Sequence, residues 1–165
     1  MRIIGGKFKG KKLHYIKSNT TRPTRDMVRE AVFNILGTRV RDAEVLDLFA
    51  GYGAYGLEAL SRGAKSAIFN DHNPIMRGII VNNLASLGLS AQVHGLDHSI
   101  MSDKLRGKCF DIIFLDPPYD VEPPDMREFL TENGVIVLER ATGGKYRYGN
   151  TTIDIIQKTP TVITV

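Results

Sequence analysis

The sequence is poor in the features that mark secreted, membrane or metal proteins. It shows no secretory signal and no apolar run long enough to span a membrane. Its one cysteine, Cys109, cannot form an internal disulfide, and we interpret it as a buried small hydrophobic residue at the start of a strand. The histidines lack the spacing to cysteines or acids that a metal site needs. We therefore expect a cytoplasmic protein with no membrane and no metal.

Acidic residues are scarce at the beginning of the chain. Residues 1–41 contain eleven Lys and Arg but only two acids, Asp26 and Glu30, and so carry a net charge of +9. The remainder carries −5. A solvated basic face is one interpretation, but glycines and aromatic residues interleave the charges, which favours a segment that binds nucleic-acid phosphates. The candidate contacts are Arg2, Lys7, Phe8, Lys9, Lys11, Lys12 and Arg25.

There is no internal repeat and no linker. Ile3, Ile4, Phe8 and Leu13 predict two short strands around a glycine-bearing turn. Helical spacing of apolar residues predicts a helix that begins near Thr24 and stops at Gly37. We expect this basic hairpin and helix to form an extension over residues 1–41, with the catalytic domain over 42–165.

From residue 42 the pattern alternates between strands and helices. Short apolar runs predict strands at 45–49, 66–70, 91–94, 110–115 and 134–139, with helical stretches at 57–60, 75–87 and 99–105 between the first four. Such alternation favours a parallel sheet covered on both faces. Segments 145–148 and 152–157 are joined too closely for a crossover, so they predict an antiparallel hairpin. The expected fold class is α/β, a Rossmann-like class I methyltransferase with a mostly parallel seven-stranded sheet.

A glycine turn follows the first predicted strand. Gly51, Gly53 and Gly56 satisfy G-x-G-x-x-G, and Asp71 stands twenty residues after Gly51, at the end of the second strand. This spacing suits a carboxylate that binds both ribose hydroxyls of a nucleotide. Both NAD and S-adenosylmethionine satisfy these features.

Asp47, two residues before the end of the first predicted strand, distinguishes the two cofactors. A carboxylate repels a pyrophosphate but favours the ammonium and sulfonium groups of S-adenosylmethionine. Asp97, after the third strand, is a candidate for the adenine amino group and equally for a helix N-cap. The cofactor prediction is therefore S-adenosylmethionine.

The loop after the fourth strand has the sequence Asp116-Pro117-Pro118-Tyr119. Loops at the carboxyl ends of parallel strands face the ligand, and two prolines remove two N–H donors. The remaining acceptors, the Asp116 carboxylate and the Pro117 carbonyl, suit a planar NH₂ group whose lone pair must turn toward a methyl donor. Tyr119 offers a face on which an extruded base stacks. We predict methylation of an exocyclic amine on a nucleic-acid base.

Six further segments resemble the RsmD family, whose members methylate the N2 amine of a guanine in bacterial small-subunit ribosomal RNA. They are residues 1–10, 22–24 (Arg-Pro-Thr), 29–36 (Arg-Glu-Ala-Val-Phe-Asn-Ile-Leu), 46–51 (Leu-Asp-Leu-Phe-Ala-Gly), 57–64 (Leu-Glu-Ala-Leu-Ser-Arg-Gly-Ala) and 148–151 (Tyr-Gly-Asn-Thr), beside the 116–119 loop. The resemblance implies that the N-terminal hairpin contacts rRNA or its ribonucleoprotein particle. It also implies that Arg22 and Thr24, with Phe49 and Ala50 before the glycine turn, border the cofactor. We expect a monomer.

The chain departs from this family pattern at three places. Tyr52 and Tyr55 stand where the family usually has a small hydroxyl residue and leucine, and Asp71 replaces a glutamate. The stretch from 120 to 133 is too short for the usual helix before the fifth strand. Two alternatives remain open at this point. One is an adenine-N6 nucleic-acid methyltransferase, since that class shares the catalytic tetrapeptide, and the other is an RNA-binding or assembly protein that has lost catalysis.

Overall fold

Seven strands form a single sheet in the computed structural model, which describes residues 1–16, 24–118 and 120–158, and of Thr24 and Arg25 only the backbone. The strands are β1 Glu44–Asp47, β2 Ser66–Asn70, β3 Gln92–His94, β4 Phe110–Leu115, β5 Leu130–Arg140, β6 Tyr146–Tyr148 and β7 Thr151–Gln157. The helices are α1 Thr24–Leu36, α2 Ala54–Ser61, α3 Pro74–Ser86 and α4 His98–Lys104, with 3₁₀ turns at Gly37–Val40 and Arg127–Phe129.

The strand order is β3-β2-β1-β4-β5-β7-β6. Strands β1 to β5 run parallel, whereas β7 is antiparallel to both β5 and β6. This confirms the predicted class I methyltransferase fold with its terminal hairpin. Because the order reverses between β1 and β4, a crevice opens at their carboxyl ends, where ligands bind in open α/β sheets.

Alternate residues of β1 and β4 pack into two separate hydrophobic cores, one on each face of the sheet. Val45, Ile112 and Phe114 face the core that α1, α2 and α3 cover. Leu46 and Ile113 face the opposite core, which α4 and the turn at Arg127–Phe129 cover. The period of two in β1 and β4 therefore decides which side chains reach the helices on each face. Cys109, directly before β4, is exposed and not buried as predicted.

The connection from β4 to β5 contains no α-helix within residues 110–118 and 120–140. A 3₁₀ turn and the buried side chains of Met126 and Phe129 cover the sheet there, as the short segment predicted. Strand β5 begins at Leu130 rather than at the predicted residue 134. Leu130 pairs with Phe110, and the register then shifts before the pair Ile112–Val135. Because the first part of the strand is irregular, the apolar periodicity that identified the strand did not include it.

Residues 1–13, the N-terminal loop, do not form the two predicted strands. A single antiparallel bridge joins Arg2 to Lys12, with Ile3 N donating to Lys11 O at 3.0 Å. The backbone N–H groups that would extend this strand pairing form hydrogen bonds with other partners instead. Ile4 N and Gly5 N donate to the Glu58 carboxylate at 2.9 and 2.7 Å.

The same loop is fixed on the carboxyl end of α2. Lys7 N donates to Ser61 O at 2.7 Å, and Ser61 Oγ donates to Gly5 O at 2.6 Å. Buried Glu58 also pairs with Arg62 at 2.8 Å and with Arg29 of α1 at 3.4 Å. One buried carboxylate thus joins the loop to two helices, and charge-assisted bonds of this kind are costly to break singly.

Candidate active site

A cavity of about 380 Å³ lies at the carboxyl edge of the sheet. Its walls come from the ends of β1, β2, β4 and β5 and from the first residues of α2 and β7. The residues that line it are Met1, Arg29, Phe49, Ala50, Gly51, Tyr52, Ala54, Tyr55, Asp71, His72, Met76, Asp116, Pro117, Pro118, Glu139 and Thr151. Of the predicted site residues, Phe49, Ala50, Gly51, Asp71, Asp116, Pro117 and Pro118 therefore meet on one cavity.

The three glycines of the turn serve different purposes. Gly51, with φ +52°, borders open space where its Cβ would stand, so its backbone is accessible from the cavity. Gly53, with φ +80°, precedes α2 as its N-cap and does not line the cavity. At Gly56 a Cβ would lie 2.3 Å from the Phe69 ring, so this glycine lets α2 pack closely on β2.

Asp71 stands at the cavity wall directly after β2. Its Oδ2 accepts from Gly51 N at 2.8 Å, and its Oδ1 accepts from Asn73 N at 2.9 Å. These bonds fix the carboxylate against the glycine turn. Each oxygen keeps a second lone pair, so binding of ribose hydroxyls by Asp71 stays compatible with the geometry.

Asp47 lies beneath the turn rather than on the cavity wall. It is 2% exposed, and its Oδ2 accepts from Gly56 N at 2.9 Å. Burial raises the pKa of Asp47 to about 7, the Gly56 N–H opposes that rise, and the charge of Asp71 adds to it. Asp47 thus fixes the first turn of α2, and its predicted role toward the cofactor stays a prediction.

Asp97 caps the N-terminus of α4. Its Oδ1 accepts from Ser99 N at 3.0 Å and from Ser99 Oγ at 2.6 Å, and these bonds lower the pKa of Asp97. The residue also borders a small cavity of about 40 Å³ beside the main one, together with Phe49, Asp71 and His98. The capping role is observed, and contact with adenine stays a prediction.

Asp116, Pro117 and Pro118 follow β4 and line the main cavity. Pro117 is buried, whereas Pro118 is exposed and its carbonyl accepts from Val121 N at 2.9 Å. Neither proline has an N–H, so this stretch of wall presents oxygen acceptors. Tyr119, the predicted stacking residue, lies outside the described residues.

Nine residues of the cavity wall were not predicted as site residues, and two of them, Tyr55 and Glu139, bond to each other. Tyr55 donates its hydroxyl to Glu139 Oε2 at 2.8 Å and stacks on Phe114, with ring centroids 4.8 Å apart. Burial and the charges of Glu139 and Asp116 raise the pKa of Tyr55 well above its usual value, so the hydroxyl stays protonated. The sequence did contain a signal for Glu139. Like Asp71 and Asp116, it is an acidic residue at the end of an apolar strand.

The predicted nucleic-acid contacts gather on the N-terminal loop. Its five cations are exposed: Arg2, Lys7, Lys9, Lys11 and Lys12. Phe8 is half-buried and packs against the core, with the Lys7 ammonium 5.4 Å from its ring centroid. Arg22 and the side chains of Thr24 and Arg25 lie outside the described residues.

Tyr52, in the glycine turn, lines the cavity and also contacts Tyr15 and Ile16. Its hydroxyl donates to Ile16 O at 3.2 Å, and its ring meets the Tyr15 ring edge-on. The described residues contain no cluster of three or more His, Cys, Asp or Glu side chains that is placed to hold a metal ion. None of the described helices has the length and apolar character needed to cross a bilayer.

The strand order, the glycine turn with Asp71 and the acid-Pro-Pro loop after β4 define a class I methyltransferase. The sequence profile of the family described as conserved hypothetical protein 95 matches residues 1–161. The chain belongs to that family, the RsmD family, as the sequence resemblance predicted.

The relatives agree with this assignment. The Bacillus subtilis protein YlbH is 39% identical over 150 residues, which cover 84% of this chain and 82% of that protein. Ribosomal RNA small subunit methyltransferase D of Escherichia coli K12 is 42% identical over 121 residues, covering 72% of this chain and 60% of the relative. The solved structure of Escherichia coli yhhF superposes with a TM-score of 0.79 at 28% identity, over 96% of this chain and 99% of that one.

Proposed function

We propose that this chain transfers a methyl group from S-adenosylmethionine to the N2 amine of a guanine in small-subunit ribosomal RNA. One observation carries the proposal. The acceptors of Asp116 and Pro117 share a cavity with the glycine turn and Asp71. The Escherichia coli relative is named as a methyltransferase of small-subunit ribosomal RNA, which supports the choice of substrate.

The residues of the turn fit the cofactor. The accessible backbone at Gly51 admits a ligand closely, and the Asp71 carboxylate, which accepts from Gly51 N at 2.8 Å, stands beside it as a partner for ribose hydroxyls. Phe49 and His98, with ring centroids 5.7 Å apart, offer flat surfaces beside Asp97 for an adenine ring. When bound, S-adenosylmethionine supplies the electrophilic methyl group.

The chain's own residues orient the amine. Asp116 and the Pro117 carbonyl accept the two N–H hydrogens, which turns the nitrogen lone pair toward the methyl donor and stabilises positive charge on nitrogen. The methylated nitrogen then releases one proton, which Asp116 accepts and passes to water. The proline N atoms add no donor that would compete for the amine.

The N-terminal loop supplies the electrostatic part of RNA binding in this proposal. Its five exposed cations lie on a segment fixed to α2, and Met1 of the same loop lines the main cavity. Residues 1–41 act as the RNA-contacting extension and residues 42–165 as the catalytic domain. In this proposal the protein acts as a monomer on cytoplasmic rRNA or its ribonucleoprotein particle.

The test is methyl transfer from labelled S-adenosylmethionine to small subunits and to naked rRNA that lack the modification, followed by nucleoside analysis. We expect N2-methylguanosine, and a drop of about 10²- to 10³-fold in kcat for Asp116→Ala with cofactor affinity retained. Asp120→Ala, an exposed acid in the same loop, serves as the matched control and should keep full activity. N6-methyladenosine, or no transfer to any RNA substrate, would contradict the proposal.

A further inference from the structure

We propose that Glu139, held by Tyr55, recognises the N1–H of the target guanine and so discriminates guanine from adenine. This inference rests on the proposed function and assigns a specificity residue to the same site. Tyr55 acts as a positioning residue in this proposal, because its hydroxyl donates to Glu139.

The sheet register places Glu139 beside Asp116. Leu115 of β4 pairs with Leu138 of β5, and continuing this register by one residue places Asp116, directly after β4, beside Glu139. Phe114 and Val137, two residues earlier, both face the core under α1 and α2, so Asp116 and Glu139 lie on that same face. Neighbouring strands are about 4.8 Å apart. Both carboxylates line the main cavity.

Tyr55 fixes the position of the Glu139 carboxylate. Its ring stacks on Phe114 at an interplanar angle of 17° and lies 6.4 Å from the Phe33 ring. Its 2.8 Å hydrogen bond engages Oε2 of Glu139. A ring held on two sides leaves the hydroxyl little freedom, so the carboxylate is oriented before a substrate arrives.

Glu139 also stands at the boundary between two cavities. It lines the main cavity and a second one of about 180 Å³, which lies beyond Pro117 and Pro118 and is bordered by Arg140 and Thr142. A base that places its amine at Asp116 therefore has its neighbouring ring edge near Glu139.

The chemistry of the two purines then separates them. In guanine the N2 amine is adjacent to N1–H, so a second acceptor beside Asp116 receives a second donor. In adenine the N6 amine is adjacent to N1 and N7, which are both acceptors, so a carboxylate there faces a lone pair and receives no hydrogen bond from the base. A site built to bond a substrate N–H rejects an analogue that lacks it.

The experiment compares guanine with 2-aminopurine at the methylated position of the rRNA. 2-Aminopurine keeps the N2 amine but has an acceptor at N1. We expect the protein to prefer guanine by about 10- to 100-fold in kcat/KM. Glu139→Gln should lower kcat/KM for guanine by a similar factor and bring the ratio close to one, because its amide can donate to an N1 acceptor. Glu132→Gln, an exposed acid of the same strand, is the control and should leave the ratio unchanged.

Tyr55→Phe keeps the stacked ring and removes only the hydroxyl. We expect it to narrow the guanine to 2-aminopurine ratio by about 3- to 10-fold, whereas a merely structural role would lower both rates equally. An unchanged ratio in Glu139→Gln, with guanine still methylated by the native protein, would overturn this inference alone. A native protein that methylates no guanine would overturn the proposed function and this inference together.

Discussion

At the scale of single residues, Asp47 is notable as a carboxyl group that is buried with one backbone N–H as its partner. Its folded pKa of about 7 lies above the ordinary value of 3.8. The folded state therefore binds the proton more tightly than the unfolded state does. This contribution to stability is complete below about pH 4 and is lost as the pH rises to about 7.

Asp47→Asn tests this sign, because an amide imitates the protonated carboxyl and does not titrate. Between pH 4 and 7 the free energy of unfolding of the native protein should fall relative to the variant, by at most about 1.4 kcal/mol per pH unit. Urea unfolding of both proteins across this range measures the difference. Asp103→Asn, on the exposed face of α4, is the control, and a native protein that gains stability relative to Asp47→Asn would contradict the prediction.

Site residues that follow predicted strands could be located from the sequence. Asp71 and Asp116 end short apolar runs, and the carboxyl ends of parallel strands meet at one edge. Glu139 fulfils the same condition, but its bond with Tyr55 depends on the packing of α2 over β4 and β5. Likewise, the spacing of residues along the chain does not reveal that Asp47 is buried with the Gly56 N–H as its hydrogen-bond partner.

At the scale of elements, the N-terminal loop depends on a close backbone approach. Gly6 has φ +74°, and a Cβ there would lie 1.9 Å from Ser61 O at the end of α2. Gly10 has φ +84° but borders open space. The two glycines therefore share the conformation, while Gly6 alone of the pair carries the packing constraint.

Gly6→Ala and Gly10→Ala separate these two effects. Gly10→Ala should cost about 1–2 kcal/mol, the strain of a side chain in the left-handed region. Gly6→Ala should cost about 2 kcal/mol more and release the loop, because the clash is with backbone that cannot rotate away. Thermal unfolding gives the difference, and hydrogen exchange at the Ile4 and Gly5 amides reports the release. Equal losses in both variants would contradict this account.

The regular elements were predictable where apolar periodicity was strong. Strands β2 and β4 and helices α1 and α3 lie within one or two residues of their predicted bounds. The N-terminal loop was predicted wrongly as two strands, because alternation cannot show that Glu58 and Ser61 take the backbone donors. The early start of β5 was missed for a related reason, since its pairing with Phe110 precedes the register shift.

At the scale of the whole molecule, positive charge is concentrated at the beginning of the chain. Residues 1–41 carry +9 and the remainder −5, and the cations at residues 1–16 all lie on one docked loop. The binding of a long polyanion depends more on this distribution than on the net charge of +4.

A pair of double variants tests the location of this charge with the net charge held equal. Lys9→Ala with Lys11→Ala should weaken rRNA binding and reduce the slope of log affinity against log salt by about 0.7–0.9 for each lost phosphate contact. Lys104→Ala with Lys108→Ala removes two exposed cations near α4 and should leave the slope unchanged. Equal slopes for the two variants would show that the loop is not the RNA-binding face.

The Glu58 attachment also has a consequence for the order of folding. The loop's partners on α2 lie 53 to 56 residues further along the chain. Closing a segment of that length costs about 3.5 kcal/mol of chain entropy before any contact forms. During synthesis the basic loop is made before β1 and α2 but acquires its shape only after they have formed. A nascent or partly folded chain thus presents the same cations without a fixed arrangement, and a recognition surface exists only once the sheet behind it is assembled.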